Sequence, residues 1–407
     1  MGIEIRNITG DEVTEFRRVL NTTFGGDISA DEEEDKRRQF LEQVELGRTY
    51  VPFDGAEMVG TAAALSFDIS LPGGTKTAMG GLTMVTVRPT HRRRGLLRDL
   101  IEAHFDDCIE RGEAFSGLWA SESSIYGRFG YGDAAPVADV TINGPKVGVP
   151  SAPDDVRFVD LEAARQILPS LYGRVYLERP GQLARTDGWW EYRHFDDPKE
   201  WRRGASARRY LVAYRDGEPV GYTSFRQREK WENFIAQGTV TAGEVIGVDS
   251  DARLSLWSVL CSVDLFPTVK AGNLPPDFDL QWQVENPRLI KRAVADGHYV
   301  RLLDVPGALE SRGYAAADSL VLSVVDPMGL AGGTFRLDAS DDGASCTRTS
   351  ATPDVTLDVR TLSSMFLGSP AAGPLGRVGR IDGEPRDIRR LGALLRSEIA
   401  PVCHEVY

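Results

Sequence analysis

Arg88, Arg92, Arg93, Arg94 and Arg98 crowd into eleven residues of a chain whose formal charge is −13. Guanidinium groups packed this locally are too confined for a nucleic-acid face and are sized for one polyphosphate. Before them, Thr83-Met-Val-Thr-Val87 is apolar and β-branched. After them, Leu96, Leu97, Leu100, Ile101, Phe105, Cys108 and Ile109 recur at helical spacing. The order is strand, loop, helix, with the first helical turn expected over 93–96. Unpaired amides at the helix start, the positive end of its dipole and Gly95, where backbone can come close, make a cradle for a pyrophosphate. The alternative is a merely solvated basic helix start. It is unattractive, because like charges would crowd the end where the dipole disfavours them.

The next chemistry-bearing block, Ala120-Ser-Glu-Ser-Ser-Ile-Tyr-Gly-Arg-Phe-Gly-Tyr-Gly132, follows an apolar strand expected over 114–119. Ser123-Ser124 reads as a helix start, with Tyr126 just inside it. A tyrosine hydroxyl, of ordinary pKa ~10, is the group of this block that could give up a proton. Packing is the other reading of Tyr126, and Tyr131, between two glycines, fits that reading better. The histidines carry no motif: His91 sits among arginines, His104 lies on the helix face, and His194, His298 and His404 stand alone. Cys403-His404 are adjacent and would seldom face each other, so they make a poor nucleophilic pair. The four cysteines are far apart, so neither a disulfide framework nor a metal site is indicated.

The spacing Arg92-x-x-Gly95-x-Leu97 resembles the Arg/Gln-x-x-Gly-x-Gly/Ala loop of GCN5-related N-acetyltransferases (GNAT), with leucine in place of the last small residue. Taken together, the two blocks resemble the Eis-type (enhanced intracellular survival) acetyltransferases, whose loop reads Arg-Arg-Arg-Gly-Leu-Leu-Arg and whose second block reads Ile-Tyr-Gly-Arg-Phe-Gly-Tyr-Gly. The likeness reaches Val305-Pro-Gly-Ala-Leu-Glu-Ser-Arg-Gly-Tyr314 and so spans most of the chain. The resemblance implies acetyl-CoA as co-substrate. The backbone of Val85, Thr86 and Val87 would meet its pantetheine arm and thioester. Arg92, Arg93, Arg94, Gly95, Leu96, Leu97 and Arg98 would take its phosphates, and Ser121 and Glu122 would close the far side. It further implies Tyr126 as proton donor and the α-carboxylate of Tyr407 as proton acceptor. Direct transfer to amines of polycationic molecules such as aminoglycosides is expected, in a homohexamer built as a trimer of dimers. Phe24, Asp27, Met84 and Glu405 are candidates for the substrate wall. Acetylation of protein lysines or polyamines is an alternative, as is a non-catalytic protein that senses coenzyme A and carries a lipid. The intact arginine loop together with Tyr126 favours the enzyme.

These residues require a frame. Ile3–Ile8 reads as a strand and 11–23 as a helix; a second helix opens in the acidic run Asp31 to Asp35. Strands over 49–53 and 57–69 flank Asp54-Gly55, a hairpin signal, and 78–87 follows. Glycines and prolines over 143–153 read as a linker. The order then repeats: strand 156–160, helices 161–178 and 188–195, and strands 210–214 and 220–227 about Asp216-Gly217. Glu244 to Trp257 stands where the phosphate loop stood. Only Arg253 remains there, and Asp249 and Asp251 would repel a pyrophosphate, so the second copy is expected to be degenerate. From His298 come strands at 299–303, 320–325, 333–337 and 355–357, a short helix at Pro306, and helices 361–367 and 387–399. This unit resembles the sterol-carrier-like domain of Eis proteins. The expected class is α/β (α+β), with a first GNAT domain over 1–148, a second over 149–297 and the sterol-carrier-like domain over 298–407. No signal segment and no long apolar run is present, which makes cytoplasmic residence the expectation. The negative charge disfavours nucleic acid and anionic lipid and favours a cationic ligand.

Overall fold

A computed structural model describes residues 2–26 and 33–407, the side chains of Glu33 and Asp35 excepted; Asp27 and the opening of the acidic run lie outside the described residues. The chain begins β1 (Glu4–Arg6), α1 (Val13–Thr23), α2 (Glu33–Gln43), β2 (Val51–Asp54), β3 (Glu57–Met58), β4 (Gly60–Leu71), β5 (Thr75–Val87), α3 (Leu96–Glu110), β6 (Phe115–Trp119) and α4 (Ser123–Tyr126). Its middle contains β7 (Gly132–Asn143), α5 (Gly144–Val147), β8 (Asp155–Val159), α6 (Leu161–Val175), α7 (Asp187–Trp189), β9 (Arg209–Arg215), β10 (Glu218–Arg228), β11 (Trp231–Glu232), β12 (Ile235–Ala236), β13 (Thr239–Gly247), α8 (Ser250–Cys261), β14 (Thr268–Leu274) and α9 (Leu280–Gln283). It finishes with β15 (Ile290–Leu302), α10 (Val305–Ser311), β16 (Asp318–Val325), β17 (Gly333–Ser340), β18 (Gly343–Arg348), β19 (Val355–Asp358), α11 (Val359–Met365), α12 (Ala372–Arg377), β20 (Ile381–Gly383) and α13 (Pro385–Leu395). No described helix is long and apolar enough to cross a membrane.

Two compact units result. The first contains the chain up to Ala134, His298–Ser397 and Val406–Tyr407; the second contains Ala135–Gly297 and Glu398–Glu405. In the first unit β1, β2 and β3 form a small antiparallel sheet, with the β2–β3 hairpin turning at Gly55-Ala56, one residue past the expected Asp54-Gly55. The larger sheet places β4 antiparallel to β5, β5 parallel to β6, and β6 antiparallel to the His298–Leu302 portion of β15. Helix α3 buries Leu96, Leu100, Ile101, His104, Phe105 and Cys108, the stripe that its sequence period predicts. Ile109, expected on that stripe, is 47% exposed. The base of α3 is held by Arg48, a fully buried guanidinium that meets Glu113 at 2.7 Å and Asp107 at 2.9 Å. Asp107 also accepts from the Tyr50 hydroxyl at 2.8 Å. Glu113 takes two bonds from the guanidinium, so its removal would leave a buried charge poorly compensated.

The remaining sheet of the first unit runs β18-β17-β16-β19-β20. Strands β18 and β20 and helix α12 have no counterpart in the sequence reading, because each is short and polar or glycine-bearing. Helix α13 ends at Leu395, and not at Ile399 as expected. In the second unit the strand order is β7-β14-β13-β10-β9-β8. The β9–β10 turn carries Asp216 at φ 52° and Gly217 at φ 86°, the paired left-handed geometry that suits a tight hairpin. Leu211, Val240, Leu256, Trp257, Leu260 and Val269 form its core.

Candidate active site

Strand β5 does not stay regular to its end. Its ladder with β4 jumps from Thr61↔Thr86 to Ala63↔Thr83, a bulge centred on Met84, whose φ is 56°. The Thr61 hydroxyl satisfies the displaced Met84 carbonyl at 2.7 Å. On the other side, β5 pairs with β6 only over Gly80–Leu82. Beyond Leu82 the two parallel strands have no common ladder, and Val85 to Val87 face a gap and not a neighbouring strand.

A cavity of about 650 Å³ opens there. Val85, Thr86 and Val87 line it from the strand, Arg92, Arg93, Gly95, Leu96, Leu97 and Arg98 from the loop and helix start, and Ser121, Glu122 and Tyr126 from the block after β6. Phe24, His91, Ile125, Arg128 and Phe129 also reach it. Gly95 is the N-cap of α3 at φ 89°, and no side chain caps the helix. The first turn therefore begins at Leu96, later than the expected 93–96, and its leading amides face the cavity uncapped. Arg92 and Arg93 form no ion pair among the described residues, and Arg98 only a loose one with Glu102 at 3.4 Å. Free guanidinium groups, uncapped amides and a glycine that admits backbone closely fit a pyrophosphate.

Tyr126 sits at the end of α4, 6% exposed, with its ring edge-on to Tyr131 at 5.9 Å. Its hydroxyl has no hydrogen-bond partner among the described residues, and burial pushes its pKa up to about 12. The proton is thus held firmly and faces the cavity. Tyr131 behaves as packing: it is fully buried and its hydroxyl meets Ser116 Oγ at 2.8 Å, which in turn meets His104 Nε2 at 2.7 Å.

Other sequence candidates stand elsewhere. Arg94 is outside the cavity lining and faces Asp54 at 3.6 Å, and Arg88 pairs with Glu57 at 2.5 Å. The cluster therefore divides, with Asp54 and Glu57 of the β2–β3 hairpin drawing two arginines away. Met84 shapes the bulge and does not line the cavity. Glu405 belongs to the second unit, where its buried carboxylate accepts from Trp189 Nε1 at 2.8 Å and faces Arg185 at 2.6 Å and His194 at 3.0 Å. A group committed to three internal partners is a poor substrate ligand. Tyr407 lies in the first unit but outside the cavity lining, its hydroxyl 2.7 Å from His298 Nε2. Sequence reasoning passed over His298 because the pairing spans 109 residues and leaves no local motif.

A β-strand that bulges and parts from its parallel neighbour, with an uncapped helix start facing the gap, leaves a cleft whose donors suit a pyrophosphate-bearing ligand. The sequence matches family models for an acetyltransferase (GNAT) domain over residues 4–134 and again over 181–302, and a sterol carrier protein domain over 305–404. The class is therefore a GNAT acetyltransferase with two such domains and a sterol-carrier-like third. Among relatives, an uncharacterized N-acetyltransferase of Streptomyces avermitilis is 36% identical over 98% of each chain. The N-acetyltransferase Eis of Mycobacterium tuberculosis is 31% identical over 86% of this chain and 89% of its own. The crystal structure of Eis1 from Mycobacterium abscessus superposes with a TM-score of 0.85 at 28% identity, covering 99% of this chain and all of that one. The chain belongs to the Eis family of GNAT N-acetyltransferases, enzymes that draw on acetyl-CoA.

Proposed function

We propose that this enzyme acetylates primary amines of polycationic small molecules, aminoglycosides among them, by direct transfer from acetyl-CoA. One observation carries the reading: a single cavity brings together Arg92 and Arg93, without partners among the described residues, an uncapped helix start, and the hydroxyl of buried Tyr126, unbonded among those same residues. Arg92, Arg93, Arg98 and the amides of α3 bind the phosphates. Backbone of Val85 to Val87 orients the thioester. The amine nitrogen attacks the thioester carbonyl, the carbon–sulfur bond breaks, and Tyr126 gives its proton to the leaving sulfur. A phenol near 12 is a weak acid for a thiol of ~8.5 in water. Burial closes much of that gap, because a desolvated thiolate is also a stronger base; Cys261 in this chain is pushed up to about 12 by burial.

The proton leaving the amine goes to the carboxylate of Tyr407, directly or through water. The formal charge of −13 favours the approach of a polycation. The reading includes cytoplasmic residence, domain divisions at 148/149 and 297/298, and assembly as a trimer of dimers, which analytical ultracentrifugation would test. Release of free thiol from acetyl-CoA across a panel of aminoglycosides, polyamines and lysine peptides tests the substrate class. Turnover confined to the lysine peptides would move the enzyme to protein substrates. Amidation of Tyr407 by semisynthesis keeps the ring and removes the charge. It is expected to abolish most turnover, and full activity in the amidated protein would remove the carboxylate from the mechanism.

A further inference from the structure

We infer that the sheet of the first unit contains a dedicated seat for the phenol of Tyr407, and that His298 is the positioning residue that holds the chain's last residue there. The kinetic part of this inference rests on the role proposed above for the Tyr407 carboxylate; the seat itself does not. Four strands build it. Phe67 of β4 packs its ring against that of Tyr407 with centroids 4.8 Å apart. On β5 and β6, Gly81 and Gly117 are direct partners in the parallel ladder. A Cβ at Gly81 would stand 2.9 Å from Cε2 of Tyr407 and 2.7 Å from Phe67; one at Gly117 would stand 2.7 Å from the His298 ring. Side chains are thus missing at two adjacent places in the sheet, and the hollow so made is filled by the tyrosine and the imidazole. His298, from β15, closes it with its Nε2 2.7 Å from the Tyr407 hydroxyl and its ring near edge-on to the phenol at 5.8 Å.

The imidazole has little else to do. It is fully buried, its Nδ1 has no hydrogen-bond partner among the described residues, and burial lowers its pKa to about 3, so it is neutral at physiological pH. The phenol is its one hydrogen-bond partner among the described residues. Chain ends fray unless something ties them down, and here one tie is made through the side chain. The last residue is then specified by its ring and its hydroxyl as well as by its charge.

The test follows release of Tyr407 from the full-length enzyme by a carboxypeptidase, read by intact mass, alongside kcat and the KM for acetyl-CoA. His298→Phe and Tyr407→Phe each remove the hydrogen bond and should speed release of the last residue by roughly 5-fold to 10-fold, the equivalent of one hydrogen bond. The double variant should release it no faster than either single one, and His298→Gln, which keeps a donor, should restore part of the protection. Gly81→Ala should give the largest acceleration by expelling the ring, and with Tyr407→Phe it carries the test if the imidazole variant does not fold. Equal release from all of these proteins would overturn the seat. If release accelerates while kcat holds, the seat stands and the carboxylate-base reading falls. If amidation stops turnover while release is unchanged in every variant, the base stands and the seat falls. Where both are right, kcat drops in the single variants with the KM for acetyl-CoA unmoved.

Discussion

The same strand–loop–helix occurs twice in this chain, as β5–α3 and as β13–α8, and the two helix starts are finished in opposite ways. Helix α3 begins at a glycine with no cap, and Arg92 and Arg93 beside it have no partners among the described residues. Helix α8 begins at Asp249, whose carboxylate accepts from the Ala252 amide at 2.8 Å and pairs with Arg215 at 2.7 Å. Arg253, the one arginine left at that helix start, is turned inward to Asp279 at 2.7 Å and donates to the Gly247 carbonyl at 3.0 Å. The second copy has therefore done more than lose its arginines. It carries its own anion at the helix start, and the Ala252 amide and the Arg253 guanidinium are satisfied from within the unit. An acetyl-CoA site depends as much on groups left unsatisfied as on groups supplied.

The most severe way to break this comparison is at the chemistry, which it places in the first copy alone. Tyr126→Phe keeps the ring and deletes the proton, and is expected to lower kcat by roughly 10²-fold to 10⁴-fold, the usual scale of general acid catalysis, with the KM for acetyl-CoA preserved. Near-normal turnover would return Tyr126 to packing. Next, Arg92→Ala combined with Arg93→Ala should raise the KM for acetyl-CoA by roughly 10-fold to 100-fold, since charge-assisted bonds to phosphate contribute about 1.5 to 3 kcal/mol each. Arg94→Ala, already neutralised by Asp54, should do much less. A larger effect from Arg94 than from the pair would mean that the loop turns the other way when acetyl-CoA binds.

The reciprocal experiment sharpens the contrast. Asp249→Ala should destabilise the protein by about 0.5 to 2 kcal/mol, the worth of a helix cap, and leave acetyl-CoA kinetics untouched. Calorimetry that found a second equivalent of coenzyme A bound to this variant would show that the carboxylate had been masking a working site. The smallest effect lies in the pH profile. Burial disfavours phenolate and raises the pKa of Tyr126 to about 12, so the donor form persists to higher pH than for a free tyrosine. No loss of kcat from this group is expected through pH 10. A falling limb centred near 10 that vanishes in the phenylalanine variant would contradict the burial effect.

Local patterns made half of this contrast legible in the sequence. Strand β5, the arginine loop and the buried stripe of α3 lie within about thirty residues, where residue type and period report directly on structure. Asp249 and Asp251 could be read as hostile to phosphate. That Asp249 caps its own helix needed coordinates, as did the inward turn of Arg253, because both depend on partners in other strands and loops. The division of the arginine cluster was hidden for the same reason: Asp54 and Glu57 lie more than thirty residues upstream of the arginines they engage. His298 and Tyr407 are further apart still, and no spacing announces them. Glu405, a candidate for the substrate wall from its sequence, is buried among Trp189, Arg185 and His194. The bulge in β5 was invisible because methionine, and not glycine or asparagine, occupies its left-handed position.

That last point inverts the usual rule of tolerance along a strand. In a library of every substitution across 75–87, most positions should prefer β-branched residues and reject glycine, Gly80 and Gly81 excepted because a Cβ there would collide with Cys108 and Phe67. Position 84 should do the opposite, with Gly and Asn enriched and Val, Ile and Thr depleted, since a branched Cβ fits poorly at φ 56°. The cleft would then be recognisable in a pool of surviving variants as the column where Gly and Asn rise together, without knowledge of any ligand.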